Sequence, residues 1–130
     1  MRILFLTLCG VCCCLFSSSQ IYKARCILLT TYYANDTIPH RTASNTLIVY
    51  NTELKRLSLY NPNQSYDLIE FISQHPISET NPTLCTENYM IDQNGIKMIG
   101  IIFTSDKGIT GVNIQYKDVK YSYYAEPLNN

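Results

Sequence analysis

Tryptophan is absent from this chain, and phenylalanine is scarce, with four residues against eleven tyrosines. A cationic excess is absent as well, because ten Lys and Arg balance ten Asp and Glu. The longest basic cluster is Lys55-Arg56. Surfaces that grip nucleic acid or anionic membrane carry a clustered basic excess, so neither partner is expected. Beyond residue 20 no apolar run reaches the about 18 residues that a membrane helix requires. The polar end Glu126–Asn130 carries neither a lipid-anchor signal nor an ER-retention tetrapeptide. No membrane span is expected in the mature chain.

Catalytic signatures are missing too. There is no Gly-x-Ser-x-Gly elbow, and Gly95, Gly100, Gly108 and Gly111 are scattered through strand and turn patterns rather than gathered into a phosphate cradle. His40 and His75 each adjoin a proline, and neither shows a Cys, His or carboxylate at ligand spacing. Asp67 with Glu70, and Asp92 opposite Lys97, are spaced like solvated faces and turns. No catalytic residue, metal ligand or cofactor is assigned, and the chain is expected not to be an enzyme.

What is present begins with an address. Met1-Arg2 is followed by an uncharged run from Ile3 to Phe16 and by Ser17-Ser18-Ser19-Gln20. This is the pattern of a secretory signal peptide spanning residues 1–19, cleaved after Ser19. As a helix the run would rise only about 21 Å, short of a bilayer core of about 30 Å. Residues 20–130 then form one secreted, extracellular domain.

Cleavage also changes the cysteine count. Four of the six Cys (Cys9, Cys12, Cys13, Cys14) lie in the signal's apolar run, which leaves Cys26 and Cys85. Two cysteines in an oxidising compartment most simply form one disulfide, the alternatives being two free thiols or an intermolecular bridge. The Cys26–Cys85 bond would close a loop of about 60 residues, worth on the order of 4 kcal/mol. Two sequons suit the secretory route, Asn35-Asp36-Thr37 and Asn63-Gln64-Ser65, each in a polar, turn-rich stretch.

The mature chain reads as β. Strand patterning covers Tyr22 to Tyr33, followed by a polar turn region from Asn35 to Asn45. Thr46–Tyr50 and Leu54–Tyr60 flank a three-residue loop, Asn51-Thr52-Glu53. In 65–74, Ser65 suits an N-cap, and Tyr66, Ile69 and Ile72 share a helical face, so a short helix is favoured there, the alternative being a buried strand through Leu68, Ile69, Phe71 and Ile72. Residues 76–86 read as a loop. Tyr89–Ile91, Ile96–Thr104, Ile109–Tyr116 and Val119–Tyr124 are joined by short turns, with type I′ geometry expected at Asn94-Gly95. These four make an antiparallel meander.

The sum is a mainly β, single antiparallel domain of seven or eight strands, a compact barrel or a sandwich. The Cys26–Cys85 spacing is similar to an immunoglobulin inter-sheet bridge, but no Trp packs on it and Thr83 replaces the Tyr two positions before the second Cys. In topology alone the chain resembles the lipocalins, secreted up-and-down barrels. Their Gly-x-Trp signature is missing, and no helix pattern follows the last strand.

Tyrosine couples apolar area to a hydroxyl at low entropic cost, which suits it to binding surfaces. Tyr116, Tyr121, Tyr123 and Tyr124 are the first candidates for a contact surface, and Tyr32 and Tyr33 the second. The functional expectation is a secreted, non-enzymatic glycoprotein that binds a small apolar ligand or an extracellular protein. The alternatives are a small hydrolase with dispersed residues and a structural component of an extracellular assembly.

Overall fold

The computed structural model describes residues 20–128. The predicted signal peptide, with its four cysteines, lies outside the described residues. The described chain forms β1 (Ile21–Tyr33), β2 (His40–Ala43), β3 (Leu47–Asn51), β4 (Arg56–Tyr60), β5 (Gln64–Pro76), β6 (Leu84–Asp92), β7 (Lys97–Ser105), β8 (Gly108–Gln115) and β9 (Val119–Pro127). Every pairing is antiparallel, in the order β2-β1-β3-β4-β5-β6-β7-β8-β9, and a further β1–β9 pairing closes the sheet. Closure decides for a barrel over a sandwich. β1 and β3–β9 form the wall, and β2 is the extra strand.

β1 makes closure possible through its length. Along one edge it takes β3 on Ile21–Arg25 and then β2 on Leu28–Thr31. Along the other edge it takes β9 from Ala24 to Tyr33, with a register shift between Cys26 and Leu28. The Cys26 amide bridges the step between β2 and β3 by donating to the Thr46 carbonyl at 2.8 Å.

The interior is lined by packed side chains. Ala24, Cys26, Ile48, Leu57, Tyr66, Met90, Ile102, Ile109, Val112 and Ile114 are buried in one cluster. Met90 and Met98 are register partners, and the Met90 side chain occupies the space beside Gly100, where a Cβ would overlap its Sδ and Cε. An eight-stranded barrel is just wide enough for its own side chains to fill. This one uses Met as the adaptable filler.

The four-strand meander stands as expected, from β6 to β9. Its first turn differs in type. Only Gly95 has positive φ (+82°), and its amide donates to the Asp92 carbonyl at 3.0 Å. The turn is therefore centred on Gln93-Asn94 with glycine after it, rather than a type I′ turn at Asn94-Gly95. The Asp92 carboxylate accounts for the choice by accepting the Asn94 and Ile96 amides at 2.9 Å each. The β3–β4 loop is one residue longer than expected, because Lys55 takes a left-handed conformation (φ +53°) before Arg56 pairs with Asn51.

The expected helix at 65–74 is strand β5. The register with β6 shifts between Leu68 and Glu70 and again between Phe71 and Ser73. Ile69 and Ile72 are thus the extra residues of two bulges, which break the period-2 alternation. The three-residue spacing of Tyr66, Ile69 and Ile72 comes from these bulges and not from helical turns.

The expected disulfide is also corrected: Cys26 and Cys85 are both free, buried thiols. Paired residues share a face of a sheet. Cys85, Phe103, Gly111 and Tyr124 form one row on the outer face, whereas Cys26 pairs with Ala125, which points inward. The two thiols lie on opposite faces of the wall, with β7, β8 and β9 between their strands, which no disulfide geometry can span.

Candidate functional site

The tyrosines singled out by composition divide between the two faces of the wall. In β9, Tyr121 and Tyr123 pair with the buried Ile114 and Val112 and point inward, while Tyr124 points outward and is 59% exposed. Tyr116 follows them inside, edge-on to Tyr121 with ring centroids 6.2 Å apart. Tyr32 and Tyr33 are exposed at the end of β1. The six candidates do not make one contact surface.

The inward set forms a phenol network that composition did not reveal. Tyr66 of β5, fully buried, donates to Gln64 Oε1 at 2.5 Å and adjoins the Tyr116 hydroxyl. Tyr116 donates to Asp92 Oδ2 at 2.9 Å. Burial and the Asp92 carboxylate push Tyr116 up to about 12, and burial pushes Tyr66 and Tyr123 up strongly. Burial works against the Asp92 carboxylate, but the Ile96 amide, the Tyr116 hydroxyl and the Asn94 amide outweigh it and hold the group below its ordinary value. Elsewhere inside, Tyr22 stacks on Tyr50 at 6.2 Å. Among the described residues no buried side-chain nitrogen or oxygen lacks a hydrogen-bond partner. The interior therefore presents no orphaned polar group for a ligand to satisfy.

Two concavities open to solvent. One of about 330 Å³ lies on the outer face of β7, β8 and β9, under the loop that follows β5. Phe103, Tyr124 and Ile77 give it apolar walls, and Asn81, Asn113 and Ser122 give it amide and hydroxyl groups, with no charged side chain in its lining. Phe103 and Ile77 escaped sequence reasoning. Phe103 sits in a strand apolar on both faces, and Ile77 in a stretch read only as loop. A second concavity of about 260 Å³ lies on the rim beside the Asn63 sequon, lined by Ser58, Tyr60, Gln64 and Gln93. Asn63 and Asn35 are both exposed in turns, which is where an attached glycan disturbs no packing.

The histidines hold different positions. His40 on β2 pairs with Asp36 at 2.9 Å, a carboxylate partner the sequence reading did not assign, and its ring lies edge-on to Tyr33 at 5.4 Å. Lys120 stands 4.4 Å over the Tyr32 ring. His75 Nδ1 contacts the Pro76 carbonyl oxygen at 3.1 Å. Among the described residues no Ser or Thr hydroxyl bonds to either imidazole, and no cluster of three or more His, Cys, Asp or Glu is placed to hold a metal. No helix among them is long and apolar enough to cross a membrane.

Comparison with protein-family models, with curated proteins and with solved structures finds no match.

Proposed function

We propose that this chain is a secreted, non-enzymatic glycoprotein that binds an extracellular protein partner on the outer wall of its barrel, at the groove between β7–β9 and the loop after β5. The observation that carries the reading is the satisfied, side-chain-lined interior set against an uncharged outer groove. A small apolar ligand needs an enclosed pocket that buries most of its surface, whereas packed Tyr, Met and Ile residues cluster inside this barrel. The centre of a protein interface is depleted in charge and enriched in aromatic residues. Phe103 and Tyr124, beside Asn81 and Asn113, supply that combination and suit an aromatic or aliphatic anchor residue with neighbouring backbone amides.

The test is site-specific photo-crosslinking in extracellular fluid from the source. Tyr124→p-benzoylphenylalanine is expected to capture one discrete protein, and the capture is expected to fall at least about tenfold with Thr110→Arg in the groove. The same probe at the exposed Tyr60 of β4 serves as the control. Equal capture from both positions would count against the groove. A stoichiometric small molecule retained by the secreted protein in native mass spectrometry would replace this reading with the ligand one.

A further inference from the structure

β5 is covered on both edges only along its first third. β4 pairs with Gln64–Asp67, and the Leu68 amide donates to the Lys55 carbonyl at 2.8 Å. From Ile69 to Pro76 the strand is hydrogen-bonded to β6 alone. Its other edge is unpaired among the described residues, and the side chains along it are large, apolar and exposed: Ile69 at 51%, Phe71 at 62% and Ile72 at 37%. Edge strands are ordinarily blunted by lysine, proline, bulges or brevity. Here Pro76 stands only at the end, no lysine occurs, and the bulged residues are themselves isoleucines.

We propose that this edge docks a second copy of the same chain, β5 against β5, antiparallel about a two-fold axis between Ile72 and Ser73. The proposal concerns a different surface from the outer groove and stands independently of it. A carboxylate set against an imidazole selects the occupant. In that register Glu70 lies across from the second copy's His75, and the symmetry repeats the pair. Glu70 and His75 share the outer face of the wall, because they pair with Tyr89 and Cys85, which lie four residues apart on β6. Phe71 and Gln74 share the other face, through Asn88 and Thr86, and likewise meet across the axis. The two bulges bring these residues onto matching faces despite their odd spacing.

An isologous contact of this kind satisfies both free edges at once and closes. Main-chain hydrogen bonds between the strands would supply the affinity and the apolar side chains the area. The other free edge, β2, is a weaker match for β5. It offers only His40–Ala43, and pairing it with β5 of another copy would propagate an open chain. The Asn63 sequon stands at the covered start of β5, about 30 Å along the strand from the two-fold axis, at a rise of roughly 3.3 Å per residue. A glycan there leaves the edge clear.

The test is sedimentation equilibrium of the secreted full chain, together with amide hydrogen exchange. The native protein is expected to dimerise. Glu70→Lys is expected to weaken the dimer at least about tenfold by setting Lys against His75, and Glu70→Lys/His75→Glu to restore it to within about threefold. Arg41→Glu on β2 should leave it unchanged. In the unaltered protein, exchange of the outward amides within residues 69–76 should slow as concentration rises. That arm needs no variant to fold. A monomer up to about 100 µM, open-ended oligomers, a dimer insensitive to Glu70→Lys, or exchange at 69–76 independent of concentration would each overturn the proposal.

Discussion

The Tyr116 hydroxyl donates to Asp92 Oδ2 at 2.9 Å, while Oδ1 of the same carboxylate accepts the amides of Asn94 and Ile96. One side chain thus shapes the β6–β7 turn and anchors the phenol network inside the barrel. Because the folded-state carboxyl lies below its ordinary value of 3.8, this stabilisation is present above that value and is lost as pH falls through the folded-state value.

Tyr116→Phe should therefore cost about 0.5–1.5 kcal/mol at neutral pH, the worth of one hydrogen bond. It should also raise the Asp92 carboxyl and flatten the acid limb of stability against pH. Urea unfolding at pH 7 and pH 3 reads both effects. An acid limb identical in variant and parent would show that the Tyr116 contact does not hold the carboxylate down.

Alkaline behaviour follows from the other partners. Tyr50, Tyr66, Tyr116 and Tyr123 all have hydroxyls raised above 10, first by burial. Their contribution is complete below the unfolded value and fades as pH climbs toward the folded-state values. Absorbance at 295 nm and near-UV circular dichroism, followed together, should show a late ionisation step that coincides with loss of tertiary structure. Ionisation of all the tyrosines with the dichroism intact would contradict it.

The Met90–Gly100 contact gives a packing prediction. Gly100→Ala would place a Cβ against Met90 Sδ and Cε, and overpacking of this kind costs about 1–3 kcal/mol. Shortening the neighbour with Met90→Ala should make the double variant more stable than the sum of the two single losses predicts. Strict additivity in a thermal or urea double-mutant cycle would mean the two positions do not share space.

Cys26 and Cys85 should count as two free thiols after unfolding, by alkylation and intact mass, and reductant should leave the thermal midpoint unchanged. Cys26→Ala should cost about 1–2 kcal/mol, the loss of one small buried group, rather than the larger loss expected of a broken long-loop disulfide. A mass two units lower before reduction would reinstate the bond and require a different register for β1 or β6.

The meander was legible because its signals are local: short turns marked by Gly95 and Gly108, and the alternation of Met98, Gly100 and Ile102 with Ile99, Ile101 and Phe103. β2 was not, because His40-Arg41-Thr42-Ala43 is exposed throughout and forms a strand only where β1 leaves an edge free. Closure was equally silent, since β1 and β9 meet across nearly the whole chain and nothing in either marks the other. The tyrosines were readable as a composition but not as an orientation. Tyr123 and Tyr124 differ only in parity, and parity acquires an inside once the barrel closes.

The two bulges of β5 also bear on how this strand tolerates changes of length. Deleting one residue from a regular strand turns everything beyond it to the opposite face. In β5, Ile69 and Ile72 stand outside the one-to-one pairing with β6. Removing either straightens the ladder locally and keeps the remaining residues opposite their present partners. Single-residue deletions at these two positions are thus silent in facing and altered only in twist, whereas the same deletion at Leu57 or Ile102 would turn the core outward.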